Sequence, residues 1–304
     1  MAAETDAEFD TLWDFNDPAG TEAKFLTIRL TLGAAEDHAR LMDLDTQIAR
    51  AQGLQGRFAD ALAMLETVDA ALRPDETRAA VRYQLEFGRV LRSSGSPEAA
   101  RPFFERAQAL AEAAGEDRLA VDARHMVALV EPDPARRVSL MLDDLEFAAA
   151  SGDPDARKWR GTLWNNIGMA FHEMGDLGDA LEAFETAAEC WEEDDPKRVL
   201  VAHWMVAWTL RLQGRLAEAL ATQEVLERAH QEAGTPGPYV QEELGELHLA
   251  LATGDDAENH RRLASDHFAR AHALLQDELA ADPERLARMK RLADGGDDAA
   301  PGTA

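Results

Sequence analysis

Cysteine occurs once in this 304-residue chain, at Cys190, so neither an intrachain disulfide nor a cysteine-based zinc site can form. Lysine is confined to Lys24, Lys158, Lys197 and Lys290, and 31 basic residues face 58 acidic ones for a formal charge of -27. So acidic a chain is excluded as a general binder of nucleic acid or anionic membrane, since both depend on lysine and arginine neutralising phosphates. Aromatic residues reach only 6%, and strand-like alternations of valine, isoleucine and threonine are missing. No apolar run is long enough to cross a membrane, and the acidic first 20 residues hold no signal-peptide core, so the expected compartment is the cytoplasm.

Catalytic motifs are missing too. There is no P-loop, dinucleotide fingerprint, nucleophile elbow or EF-hand loop. His172 opens HEMGD, which misses the second histidine of H-E-x-x-H because Asp176 stands there. His260, His267 and His272, with Asp266, form the densest histidine group, but spacings of seven and five scatter them over a helix surface. No catalytic residue, cofactor or metal is expected, and the chain reads as non-enzymatic.

What the chain does have is a glycine that returns at Gly56, Gly95, Gly175, Gly214 and Gly254, at intervals of 39, 80, 39 and 40 residues. Each closes one apolar helical pattern and is soon followed by another. A beat of about 40 residues, with one glycine skipped, fits a helical hairpin per unit, because two helices of about fifteen residues plus two turns use that much chain. Alanine, leucine, glutamate and arginine, all good helix formers, dominate the composition. An array of this kind buries its core between neighbouring repeats and leaves an extended concave surface for binding.

From Gly161 the chain reads GTLWNNIGMAFHEMGDLGDALEAFETAAECW, with Trp164, Ile167, Gly168 and Phe171 on one helix and Ala180, Phe184 and Ala187 on the next. This resembles the tetratricopeptide pattern W-x2-L-G-x2-Y followed by A-x3-F-x2-A. Gly88, Leu91, Gly95, Ala100, Phe104 and Ala107 fall in the same phase, as do Ala49, Gly56, Ala61 and Leu65. A fifth repeat has Ala207, Leu210, Gly214 and Ala219 but Gln223 where the aromatic should be; a sixth has Gly245, Ala264, Phe268 and Ala271 with an insertion near Gly254. The third is inferred from helical runs at 119–130 and 134–150, whose turn reads EPDPA and lacks the glycine. The family's usual unit is about 34 residues, so the longer units here are similar to long-helix variants in kinesin light chains and bacterial peptide sensors. The segments Asp17 to Phe25 and Gln47 to Gln55 resemble those of uncharacterised bacterial tetratricopeptide proteins.

The resemblance implies an all-α, right-handed α-α superhelix of about six hairpins. The expected organisation is an acidic segment at 1–18, a lead-in helix at 19–35, the array at 36–280, a capping helix at 281–293 and a disordered tail at 294–304. It also implies that the first helix of each hairpin lines the concave groove. The groove residues so implied are Arg50, Arg82, Arg89, Arg92 and His125, then Asn165, Met169, Trp204, Trp208 and Arg211, with His172, Val201 and Tyr239 in register. The arginines either bind an anion or pair with neighbouring carboxylates such as Glu86, and Trp204 and Trp208, one turn apart, face either core or groove. Asn165 beside Asn166 is a poor helix former suited to holding a ligand's backbone.

The expected function is recognition of a protein or peptide segment, with an acidic or C-terminal carboxylate end as one candidate feature of that partner. The alternative is a regulatory sensor of a small signalling peptide, although the 35 or so residues before the first repeat leave no room for a helix-turn-helix; an enzyme on this fold is a third class. No nucleic-acid or membrane partner is expected. Finally, Glu4, Asp6, Glu8, Asp10, Asp14 and Asp17 alternate with Phe9, Leu12, Trp13 and Phe15. That profile suits either a cap over the lead-in helix or a segment that occupies the chain's own groove.

Overall fold

The computed structural model describes residues 9–32, 38–192, 195–276 and 282–296. The acidic residues before Phe9 and the tail beyond Gly296 lie outside the described residues, as does the end of the expected lead-in helix, residues 33–35. Every regular element among the described residues is helical. After α1 (Pro18–Thr31), six hairpins follow among the described residues: α2 (His38–Leu54) with α3 (Phe58–Ala71), α4 (Thr77–Ser93) with α5 (Pro97–Ala114), and α6 (Asp117–Leu129) with α7 (Pro134–Ala150) come first. The single turn α8 (Pro154–Arg157) precedes α9 (Trp159–Met174) with α10 (Leu177–Trp191), α11 (Pro196–Leu212) with α12 (Leu216–Ala233), and α13 (Pro238–Leu251) with α14 (Ala257–Leu275). α15 (Pro283–Ala293) closes the order. The chain divides inside α9 into two compact units, residues 1–163 and 164–304.

The recurring glycine works as a helix stop. All five of the beat have φ between +66° and +93°, which a side chain with a Cβ disfavours. At Gly175 and Gly214 the left-handed residue lets the next amide turn back: Asp176 N–H donates to the Phe171 carbonyl and Arg215 N–H to the Leu210 carbonyl, both at 2.9 Å. The third hairpin dispenses with glycine because an arginine from the preceding helix α5 and one from its own α7 satisfy the carbonyls instead. Arg101 donates to the Val130 carbonyl at 3.1 Å and Arg137 to that of Glu131 at 3.3 Å. The helix then restarts at Asp133-Pro134. The same Asp-Pro pair opens α1, α8, α11 and α15, where proline supplies a ready φ and the aspartate accepts a backbone N–H, as from Gly20 and Asp155 at 2.8 Å.

Packing follows small against large. A Cβ added to Gly88 would stand 2.5 Å from the Phe104 ring, one on Gly168 2.5 Å from Phe184, and one on Gly245 3.0 Å from Phe268. These three phenylalanines are among the largest fully buried side chains. In the first five hairpins the corresponding place is the eighth residue of the second helix, filled by Leu65, Phe104, Met141, Phe184 and Gln223. All five are fully buried.

The first unit strings together three clusters. Phe9, Phe25, Leu44 and Ile48 lie at its start, Ala49, Leu65 and Tyr83 follow, and Leu85, Phe104, Leu119 and Met126 come next. In the second unit Trp191 packs with Ala187 and Ala202, and the half-buried Trp164 rests on this cluster at its edge. Met289 and Leu292 of α15 complete the last cluster, against Phe268, Ala271 and Leu275.

Candidate binding faces of the two units

In the first unit the first helices α2, α4 and α6 carry the arginines singled out by the sequence, and the structure hands most of them a carboxylate. Arg82 donates to Asp43 at 3.0 Å and to both oxygens of Asp10 at 2.8 Å. Arg89 bridges Glu86 and Asp122, each at 2.5 Å, and Arg50 reaches Glu86 at 3.5 Å. Burial alone would raise the Asp122 carboxyl, but Arg89 and Arg50 hold it below the usual range. Arg92 is exposed and makes no ion pair with a described residue. His125 is buried, its ring 5.3 Å from that of Trp159, and burial pushes its pKa down to about 4.

Two members of this network escaped the sequence reading. Arg78 and Arg118, in the first turns of α4 and α6, also turn toward Asp10, at 3.4 and 2.5 Å. Their 40-residue separation, one full unit, was the available signal. Asp10 itself belongs to a short 3-10 turn, Asp10–Leu12. Phe9 beside it is buried edge-on to Phe25 at 6.2 Å, while Trp13 donates to Gln47 at 3.0 Å. Trp13 and Phe15 stack 5.0 Å apart with the Arg50 guanidinium over both rings, at 5.5 and 5.3 Å. The segment makes two kinds of contact. Its aromatic residues cover α1 and α2, and its first described carboxylate reaches α4 and α6.

The second unit is different in kind. Asn165, Met169 and His172 fall at i, i+4 and i+7 on α9, so one stripe holds all three. His172 stacks on Trp208 with centroids 3.7 Å apart, Trp208 stacks on Trp204 at 5.8 Å, and Trp204 meets Tyr239 edge-on at 6.4 Å. The Trp204 indole N–H donates to the Tyr239 carbonyl at 3.0 Å, which fixes the ring between α11 and α13. The result is an aromatic ladder across three first helices. Beside it Met169, Val201 and Tyr239 remain 40%, 52% and 43% exposed. Trp204 and Trp208 are half-buried, so they share themselves between packing and surface. Asn165 Oδ1 and His172 Nε2 are covered and have no hydrogen-bond partner among the described residues. Burial lowers the His172 pKa. Arg211 is held bidentately by the buried Glu243, at 2.6 and 3.2 Å. Arg285 and Arg288 of α15 pair in the same way with Glu242 and Glu246 of α13.

No group of three or more histidine, cysteine or carboxylate residues among the described ones is arranged to hold a metal ion. No helix among them is long and apolar enough to cross a membrane.

Comparison with known proteins agrees with this architecture. The family model described as Tetratricopeptide repeat matches residues 159–232, which span α9 to α12. The fold is similar to that of a Rap protein complexed with competence and sporulation factor (TM-score 0.59, 15% identity, 91% of this chain and 76% of that one). It is likewise similar to the apo form of RapI (TM-score 0.58, 12% identity, 79% of this chain and 86% of that one). The nearly identical TPR-like repeats of a Podosopora anserina kinesin light chain also match, with TM-score 0.51, 18% identity, and 66% of this chain and 98% of that one covered. No curated protein matches the chain in sequence. Its helical hairpins and Gly-Phe crossings give this chain the fold of a TPR-like solenoid, and the tetratricopeptide family match itself is confined to residues 159–232.

Proposed function

We propose that the chain is a non-enzymatic scaffold that binds a peptide or protein segment on the first-helix face of its second unit. The observation that carries this reading is the aromatic ladder of His172, Trp208, Trp204 and Tyr239, rimmed by exposed Met169, Val201 and Tyr239. Aromatic rings at a partly dry surface give large contact area at low entropic cost. Asn165 and His172 supply polar atoms within the same stripe, and a backbone N–H or carbonyl that reached them would relieve an unmade hydrogen bond worth about 1–3 kcal/mol. A ligand gains that bond only if a covering side chain turns aside, with Trp208, stacked on His172, the first to move.

A second reading, a regulatory sensor for a short signalling peptide, is favoured by the likeness to a Rap protein solved with competence and sporulation factor. The two differ in how much of a selected ligand is needed for full affinity.

Selection from a displayed peptide library tests the site. Enriched peptides are expected to lose at least about tenfold in affinity against Trp208→Ala or Asn165→Ala, the loss of one hot-spot contact. Selected peptides that bind both variants as tightly as the parent chain would remove the ladder from the site.

A further inference from the structure

The first unit contains a carboxylate site that its own chain fills. Three guanidinium groups, from Arg78 and Arg82 on α4 and Arg118 on α6, converge on the Asp10 side chain, separated from it in sequence by 68, 72 and 108 residues. One terminal nitrogen of Arg82 reaches both carboxylate oxygens at 2.8 Å while the other is held by Asp43, so the bonds are charge-assisted on both sides of the guanidinium. The other acids in the cluster among the described residues are Asp43, at 3.0 Å from Arg82 and 3.8 Å from Arg78, and Glu116, at 3.3 Å from Arg78. Among the described residues three guanidinium groups then face three carboxylates, and without Asp10 two carboxylates are left for three, in a chain whose total charge is -27.

A cap has no need of these contacts. Covering the first hairpin is the work of Phe9 and Trp13, which pack with Phe25, Leu44 and Ile48 of α1 and α2. Asp10 instead extends past that cluster to two further helices, with its side chain still 28% exposed. Arg82, only 3% exposed, keeps its pair with Asp43 when Asp10 leaves, and a carboxylate placed against such a pre-built cluster of guanidinium groups is effective recognition. Three residues further on, Trp13 lies under Arg50, so the segment presents an acid and then an aromatic at fixed spacing to a fixed set of side chains.

We propose that Arg78, Arg82 and Arg118, with Arg50 beside them, form a second binding site for a peptide carrying an acidic residue three places before an aromatic one. Residues 9–15 occupy that site in the free protein and are displaced by the partner. The tethered segment competes at high effective concentration, so it lowers the apparent affinity of every such partner. The site is separate from the aromatic ladder of the second unit and does not depend on it.

The probe is a fluorescent synthetic peptide copying residues 8–16, EFDTLWDFN, titrated into the full chain. Asp10→Asn, which retains the Phe9 and Trp13 side chains but loosens the segment's hold on the arginines, should bind it at least tenfold more tightly than the parent chain. Adding Arg82→Gln to that variant should abolish the gain, as should replacing the peptide's first aspartate with asparagine. Trp208→Ala should leave the titration unchanged, which separates this site from the ladder. As a second measurement, amide exchange in residues 9–17 of the parent chain should speed up as saturating peptide displaces them. Equal binding by the parent and Asp10→Asn chains, or peptide binding with no change in exchange of residues 9–17, would overturn the proposal.

Discussion

Gln223 is the residue whose chemistry and surroundings agree least. It fills the place in α12 that Phe104 and Phe184 fill in their helices, it is 0% exposed, and neither its Nε2 nor its Oε1 has a partner among the described residues. An amide buried in this way costs roughly 1–3 kcal/mol. Gln223→Leu should therefore raise the thermal midpoint by several degrees in a circular dichroism melt; a fall would show that the amide is satisfied. Leucine suits better than phenylalanine, because the first helix there offers Ala207 where the second and fourth hairpins have Gly88 and Gly168.

His125 gives the second prediction at this scale. Its pKa in the fold is about 4 against an ordinary 6.5, so the unfolded chain binds the proton first and stability falls as the pH drops from 6.5 toward 4. The loss approaches about 3 kcal/mol at the bottom of that window. Asp144, pushed up to about 6 by burial, acts in the opposite sense, stabilising the fold as the pH falls from 6 toward 3.8. Melts of the parent and His125→Gln chains across pH 7 to 4 separate the two. The variant should lose less stability on acidification, and parallel curves would contradict the assignment. The glutamine was visible in the sequence as a break in the aromatic pattern, but its lack of partners was not, since side-chain satisfaction depends on neighbours far away in the chain.

At the scale of elements, the same substitution should have opposite signs at two glycines of one hairpin. Gly168→Ala puts a Cβ 2.5 Å from the Phe184 ring and should cost about 1–3 kcal/mol through overpacking. Gly178, at the start of α10, has open space around the Cβ position and an ordinary helical backbone, so Gly178→Ala should be neutral or stabilise by about 0.5 kcal/mol. Urea titrations of the two variants measure both, and a Gly168→Ala chain as stable as the parent would refute the crossing argument. Hairpins of this kind are legible because small, large and turn residues recur at a fixed spacing. The third was harder to read, since Arg101 and Arg137 replace a glycine's service to the helix end from 29 and 6 residues away. Asp-Pro starts are local, and all five could have been read directly from the chain.

For the whole molecule, the sequence places Arg82, Arg89, Trp204 and Trp208 on first helices but cannot say what each one meets. Arg82 and Arg89 are in register with groove positions, yet Asp43, Asp122 and Glu86 have already taken them. That pairing makes Arg89→Glu unsuitable as a probe of anion binding, because it would set three acids together inside the network. The aromatic ladder was half legible: Trp204 and Trp208 share a face by spacing, whereas the stacking of His172 joins two helices and needs the fold. With Arg211 held by Glu243, this ladder is an apolar surface on the first helices of the second unit. The most direct measurement is amide hydrogen exchange of the full chain with and without a library-selected peptide. Protection is expected at residues 165–172 of α9, 201–208 of α11 and the start of α13. Protection confined to the second helices α10, α12 and α14, with the first helices unchanged, would contradict it.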